Sequence, residues 1–201
     1  MENILTQIWT SQNFLTNLII GLCSSALIIS VIIDFLLYQE NNNTKKVKKS
    51  KVATGNMSFF FFLLYLTWVF RIGNIEVNDN LKNIFTIVGL FLVIIGTILN
   101  IVGRFYLSTN WANHIKIYDN HTLITYGAYK IVRHPLYASL IWFAYGVGLA
   151  YSNWIVILLN TIIFIPMMIY RAKQEEKLLT ERFKNYTEYK KKVGMFLPKL
   201  F

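Results

Sequence analysis

Cysteine occurs once in this chain, at Cys23, proline three times, and acidic residues only 10 times against 20 lysines and arginines. A lone cysteine excludes an internal disulfide and a cysteine-based zinc cluster. Its position inside an apolar block marks it as a small core residue. Charged residues occupy 15% of the 201 positions, 55% are hydrophobic, and mean hydropathy is +0.43. That balance excludes an ordinary soluble domain, the more so because the apolar residues fall in blocks. Internal repeats and low-complexity tracts are also missing.

What is there is a series of five apolar blocks, at about 14–38, 57–75, 84–103, 136–152 and 154–170. A helix needs roughly 20 apolar residues to cross a bilayer, and the first three blocks reach that length. The last two are short and read as a tight helical hairpin turning at Ser152-Asn153, which either crosses with little tilt or stops short. The first block is too long for a cleaved signal peptide and lacks a basic leader, so it reads as a span. The expected fold is all-α: a polytopic membrane protein of about five transmembrane helices with a cytoplasmic C-terminal amphipathic helix. Residues 1–104 supply the N-terminal transmembrane helices. Residues 105–201 form the functional region with the C-terminal hairpin.

In a soluble chain a net charge of +10 would point to nucleic acid. Here the charges sort by side instead. Apart from Arg71 and Lys82, every lysine and arginine falls on one face of a five-span arrangement. The positive-inside rule makes that face cytoplasmic, with the N-terminus outside and the C-terminus inside. The expected surroundings are membrane lipid, with no nucleic acid. The Asn-, Lys- and Thr-rich segment 41–56 reads as a solvated loop whose lysines signal topology. Residues 105–135 are long for a connection, a length that goes with function. Leu179, Phe183, Tyr186, Tyr189 and Val193 share one face of a helix lying along the interface, ended by Gly194 and Pro198.

Two polar motifs meet at the cytoplasmic end of the hairpin: the run Tyr126–Tyr137 and the cluster Arg171–Glu176. Ionisable residues held against a bilayer are costly and are functional candidates. Pro135 suits a first helical turn and disfavours helix for the residue before it. His134 therefore sits just ahead of the fourth helix, where free N–H groups attract a carboxylate or phosphate. The simpler alternative has Arg133 reaching lipid headgroups and His134 capping the helix. Arg171 and Glu175 lie four apart on one helix face, the spacing of an ordinary ion pair. Glu176 points about 100° away and reads as solubilising charge. Taken together, the motifs suit an amino-acid-shaped ligand: Glu175 for an ammonium, His134 and nearby amides for a carboxylate, Arg171 for an anionic acceptor. Gly127 permits a positive φ or a close backbone approach. His114, His121 and His134, without cysteine, make no metal site. Asp34 and Asn100 read as interhelical hydrogen-bonding residues.

At these residues the chain resembles the isoprenylcysteine carboxyl methyltransferase family of integral-membrane enzymes. The matching pieces are His121-Thr122-Leu123-Ile124-Thr125-x-Gly127-x-Tyr129, Arg133-His134-Pro135-x-Tyr137, Arg171-x₃-Glu175-Glu176-x₂-Leu179, Phe183-x₂-Tyr186-x₂-Tyr189 and Pro198. They cover about 105–201, and the first two spans match only as apolar helices. The resemblance implies an all-helical fold that binds S-adenosylmethionine on the cytosolic side. It places His121, Thr122, Leu123, Ile124, Tyr129, His134, Pro135, Leu136, Tyr137 and Glu175 at the cofactor. It makes Arg171 the catalytic, substrate-side arginine and calls for no metal. Two positions depart from the pattern: Ser139 stands where a glycine is common, and Ala128 where a proline is frequent. The implied reaction is methyl transfer to the carboxylate of a lipophilic or lipidated acceptor, isoprenylcysteine-like or other. Independently of the resemblance, the expected depth of the site suggests that an apolar acceptor enters laterally from the bilayer.

Two other readings remain at this point. Membrane sterol reductases look similar in this C-terminal region and bind NADPH, for which Lys130 and Arg133 are available. A non-enzymatic membrane scaffold would use the same polar residues as headgroup anchors.

Overall fold

The computed structural model describes residues 11–37, 44–48, 54–107, 115–118 and 122–199. Helices α1 (Ser11–Leu37), α2 (Thr54–Val69) and α3 (Asp79–Leu107) are followed by the single turn α4 (Ala128–Ile131) and by α5 (Pro135–Ala150). Helix α6 (Trp154–Leu159) widens through a π-helical segment, Asn160–Phe164, and continues as α7 (Ile165–Arg182); α8 (Tyr186–Lys192) closes the order. Pro166 stands at the start of α7. It has no N–H to donate to the preceding turn, and a local widening of the helix is one way to absorb that loss.

The helical architecture agrees with the sequence expectation. Among the described residues, three helices are long and apolar enough to cross a membrane: Phe14–Asp34, Asp79–Leu107 and Trp154–Arg182. The expected lengths of two blocks are corrected: the second, like the fourth, forms a helix of only 16 residues, and the fifth continues into a helical stretch of 29. At 1.5 Å per residue the two shorter helices each reach about 24 Å, short of a hydrocarbon core of about 30 Å. One addition was not expected. Strands β1 (Thr44–Lys48) and β2 (Ile115–Tyr118) pair antiparallel, joining the segment read as a solvated loop to the long third connection.

Small residues decide how the bundle packs. Gly89, Gly96 and Gly103 lie seven apart on α3 and face α5. A Cβ at Gly89 would stand 2.5 Å from the Ala150 nitrogen, and one at Gly96 2.8 Å from the Ser139 oxygen. The two backbones therefore touch, the usual geometry where lipid gives helices no hydrophobic reason to associate. On the other side of α5, Tyr137, Ile141 and Ala144 pack with Phe60 and Leu64 of α2 and with Val156, Phe164 and Met168. Phe60 and Phe164 stack at 4.7 Å. Asn78 caps α3 by accepting from the Leu81 N–H, with Asp79 in its first turn and Arg104 in its last. Those charges complement the helix dipole.

The hairpin turns at Ser152-Asn153, as the sequence predicts. The expected continuous amphipathic helix beyond Glu176 is corrected: Phe183 takes an extended conformation and breaks it. Its apolar face nevertheless turns inward, with Tyr186 and Val193 buried. At the same end as this tail, Gly127 adopts φ +61°, and a Cβ there would collide with the Tyr106 ring. Both properties expected of Gly127 are present.

Candidate active site at the polar end of the hairpin

Helix α7 presents Arg171 and Glu175 on one face, and α5 brings Tyr137 between them. The Arg171 Nε donates to the Tyr137 hydroxyl at 2.9 Å, and that hydroxyl donates to Glu175 Oε1. Arg171 and Glu175 themselves stand 3.9 Å apart. The expected i,i+4 ion pair is thus bridged by a phenol. The Arg171 guanidinium also lies 5.7 Å from the Tyr137 ring centre. Arg171 is 6% exposed, deeper than a headgroup anchor would sit.

His134 occupies the N-cap of α5, ahead of Pro135 as expected, but its side chain caps nothing. Its two ring nitrogens face two acids: Nδ1 lies 3.4 Å from Glu175 Oε2 and Nε2 lies 3.2 Å from Glu176 Oε1. Its backbone N–H donates to the Met195 carbonyl. Both ring nitrogens therefore already meet a carboxylate of the chain itself. Burial alone would push the imidazole pKa down, but the hydrogen bonds and charges of Glu175 and Glu176 outweigh it and hold it above the ordinary histidine value.

Glu176 is the residue that sequence reasoning undervalued. It is 2% exposed and accepts from Arg133 Nε at 2.8 Å. It also meets His134 Nε2 at 3.2 Å and Lys190 Nζ at 2.6 Å. Two adjacent acids in a C-terminal tail otherwise rich in lysine were the available signal; the periodicity alone sent Glu176 to solvent. Arg133 does not reach for lipid. Beyond Glu176, its Nη1 bonds the Lys190 and Val193 carbonyls at the end of α8. That engagement also removes one of the two cations the reductase reading relied on.

The tail folds back over this cluster. The Arg133 N–H donates to the Gly194 carbonyl at 2.8 Å, and Val132 and Gly194 form a parallel bridge. Phe196 sits edge-on to His134, and the Tyr189 hydroxyl donates to the Tyr129 carbonyl at 2.6 Å. Burial first, then the Glu175 charge, push the Tyr129 phenol pKa up, so it stays protonated. Among the acids at the cluster's centre, Glu175 has the open side. Its side chain is 27% exposed against 3% for Glu176.

His134, Tyr137, Arg171 and Glu175 are thus brought together. Pro135 is buried against Gly103, Leu136 is half-buried, and Ile124 is buried. Thr122 is exposed and Leu123 half-buried. His121 lies outside the described residues. No group of three metal-ligating side chains occurs among the described residues.

A second polar chain enters from the N-terminal helices. Asp34 of α1 pairs with Arg104 of α3. Arg104 Nε donates to Asn100 at 2.7 Å, Asn100 donates to the Ser139 hydroxyl at 2.7 Å, and that hydroxyl donates to the Leu136 carbonyl. Ser139, which departs from the family's glycine, is accommodated as a link in this chain.

Residues 87–181 match the model of the isoprenylcysteine carboxyl methyltransferase (ICMT) family. The chain is 31% identical over 138 residues to a protein-S-isoprenylcysteine O-methyltransferase of Xenopus laevis, covering 66% of this chain and 48% of that one. It is 30% identical over 116 residues to the Saccharomyces cerevisiae protein of the same name, covering 56% and 48%. A similar stretch of 111 residues is 30% identical to the cobalt-zinc-cadmium resistance protein CzcN of Cupriavidus metallidurans, covering 55% and 50%. The chain spans about half the length of these curated relatives. Over residues 87–181, a little under half of its length, the chain is thus similar to the isoprenylcysteine carboxyl methyltransferase family.

Proposed function

We propose that this chain is an integral-membrane methyltransferase that uses S-adenosylmethionine and acts on the carboxylate of a lipophilic acceptor, isoprenylcysteine-like in class. The observation that carries the reading is the buried His134–Tyr137–Arg171–Glu175 cluster, which falls on the residues by which the chain resembles the family. The donor set suits the cofactor: Glu175 is a fixed carboxylate with one open side, ready for an ammonium. S-adenosylmethionine, when bound, supplies an electrophilic methyl group.

The protein's own part is positioning. Tyr137 and His134 fix the Glu175 carboxylate by donating to it. Arg171 orients an acceptor carboxylate, for which a guanidinium is the best-shaped cation. Such an acceptor is ionised at pH 7 and needs no general base, so holding the reacting atoms in line accounts for most of the rate. The apolar packing of α2, α5 and α7 keeps water away. Bringing a cation and an anion together to neutral products is favoured in such a site.

The topology proposed with this function has five spans, the N-terminus outside, and the cluster and α8 on the cytoplasmic side. The distribution of lysine and arginine supports it. The test is methyl transfer from labelled S-adenosylmethionine to N-acetyl-S-farnesylcysteine and to simple long-chain carboxylic acids in detergent. Arg171→Met is expected to lower kcat/KM by at least about 100-fold. Transfer undiminished in that variant would remove Arg171 from its role.

A further inference from the structure

Beneath the cluster lies a carboxylate that the reading above does not use. Glu176 is more deeply buried than Glu175 and cannot touch a ligand on the open side, yet three cations converge on it from two parts of the chain. Arg133 and His134 come from the start of α5, and Lys190 comes from α8. Its adjacent residue is Glu175, whose Oε2 faces the other nitrogen of the same imidazole. An imidazole with an acid at each nitrogen can donate to both only when both nitrogens carry hydrogen. A single carboxylate thus stands behind the ring that orients Glu175 and behind the arginine that grips the tail.

We propose that Glu176 is the positioning residue of this site: it fixes the His134 ring so that Nδ1–H points at Glu175, and it fastens the C-terminal segment, through Arg133 and Lys190, as the wall behind the ring. This rests on the methyltransferase reading for its consequence but not for its geometry. The tail it fastens, from Tyr186 to Phe196, lies beyond the residues that match the family model, so the site is completed by a segment that match does not include.

The titratable groups facing His134 are Glu175 and Glu176 from α7 and Tyr137 from α5; behind them Arg171 meets Tyr137 and Glu175, and Arg133 and Lys190 of α8 meet Glu176. Removing the negative charge at Glu176 leaves the ring one acid instead of two. Removing Lys190 leaves Glu176 less neutralised. The two changes push His134 in opposite directions, and only a positioning role adds a loss of ligand affinity to the shift.

The experiment is a nitrogen-15 NMR titration of the histidine rings in detergent, feasible because the chain has only three histidines. It is paired with calorimetry of S-adenosylhomocysteine. Glu176→Gln is expected to lower the pH at which His134 titrates by at least about one unit and to weaken S-adenosylhomocysteine by about tenfold. Lys190→Met is expected to raise that pH. If Glu176→Gln does not fold, the direction of the Lys190→Met shift decides. An unmoved His134 titration in the variants that fold would overturn the proposal. So would Glu176→Gln protein that binds S-adenosylhomocysteine within about twofold of wild type, since a positioning role predicts the tenfold loss. Wild-type protein that binds no S-adenosylhomocysteine would instead overturn the methyltransferase reading, with the titration still deciding the Glu176–His134 coupling.

Discussion

The two ends of the hairpin built from α5, α6 and α7 both bury polar groups, but with opposite chemistry. At the turn, Asn153 donates to the Ile72 carbonyl at 3.0 Å and to Asn74 at 2.8 Å, and accepts from the Val156 N–H at 3.0 Å. The Trp154 N–H meets the Gly73 carbonyl, and the Ile75 N–H meets the Ser152 carbonyl. Every partner is neutral, and the side-chain amide of Asn153 is engaged at both its atoms. Arg71 and Ser152 both take left-handed backbone conformations there, a local cost that such a closed network can hold. At the other end the groups are ions, and one of them, Glu175, keeps an open side. A closed neutral network staples helices together. An ionic one with an open carboxylate, held at the membrane edge, is a place for a ligand.

The comparison can be broken from either end. The largest effect is expected at the second ionic pair of the polar end. Arg104→Met leaves Asp34 buried without its partner and should cost about 3–5 kcal/mol in thermal unfolding in detergent. Adding Asp34→Leu should restore most of it, because the pair as a whole is worth little more than apolar packing. A double variant as unstable as the single one would show that the pair has another role.

Next comes a contrast between the ends. Glu175→Gln should weaken S-adenosylhomocysteine by about 10–100-fold, the worth of a charge-assisted hydrogen bond, with little change in melting temperature. Asn153→Ala should do the reverse: it should lower stability by about 1–3 kcal/mol by leaving neutral partners unmet and leave ligand affinity unchanged. If Asn153→Ala weakened the ligand as much as Glu175→Gln, the two ends would not be separable in function.

The smallest effect is the pH dependence. His134 has a folded pKa above the ordinary value of about 6.5, so its protonation stabilises the fold fully below that value. The contribution is lost as pH rises through the raised folded pKa. Wild-type protein should therefore lose stability above neutral pH, at no more than about 1.4 kcal/mol per pH unit for one proton. His134→Gln should lack that slope.

Much of this was legible in the sequence. The apolar blocks, the turn at Ser152-Asn153, the place of His134 before Pro135 and the shared face of Arg171 and Glu175 all follow from local rules. Arg133, His134 and Glu176 were read differently because their partners are far away in sequence. Helical spacing puts Glu176 off the Arg171–Glu175 face, and only the docked tail and the start of α5 reveal that the other side is also buried. Similarly, the seven-residue spacing of Gly89, Gly96 and Gly103 becomes meaningful once α5 is known to lie against it. The pairing of Asp34 with Arg104 links positions 70 residues apart, beyond the reach of any periodicity.

The most direct test of the account is calorimetric binding of S-adenosylhomocysteine to the detergent-purified protein, with NADPH and the Glu175→Gln variant run alongside. The account predicts micromolar binding of S-adenosylhomocysteine to wild type, a loss of about 10–100-fold in the variant, and no binding of NADPH. Binding of NADPH alone, or equal binding of S-adenosylhomocysteine to wild type and variant, would contradict it.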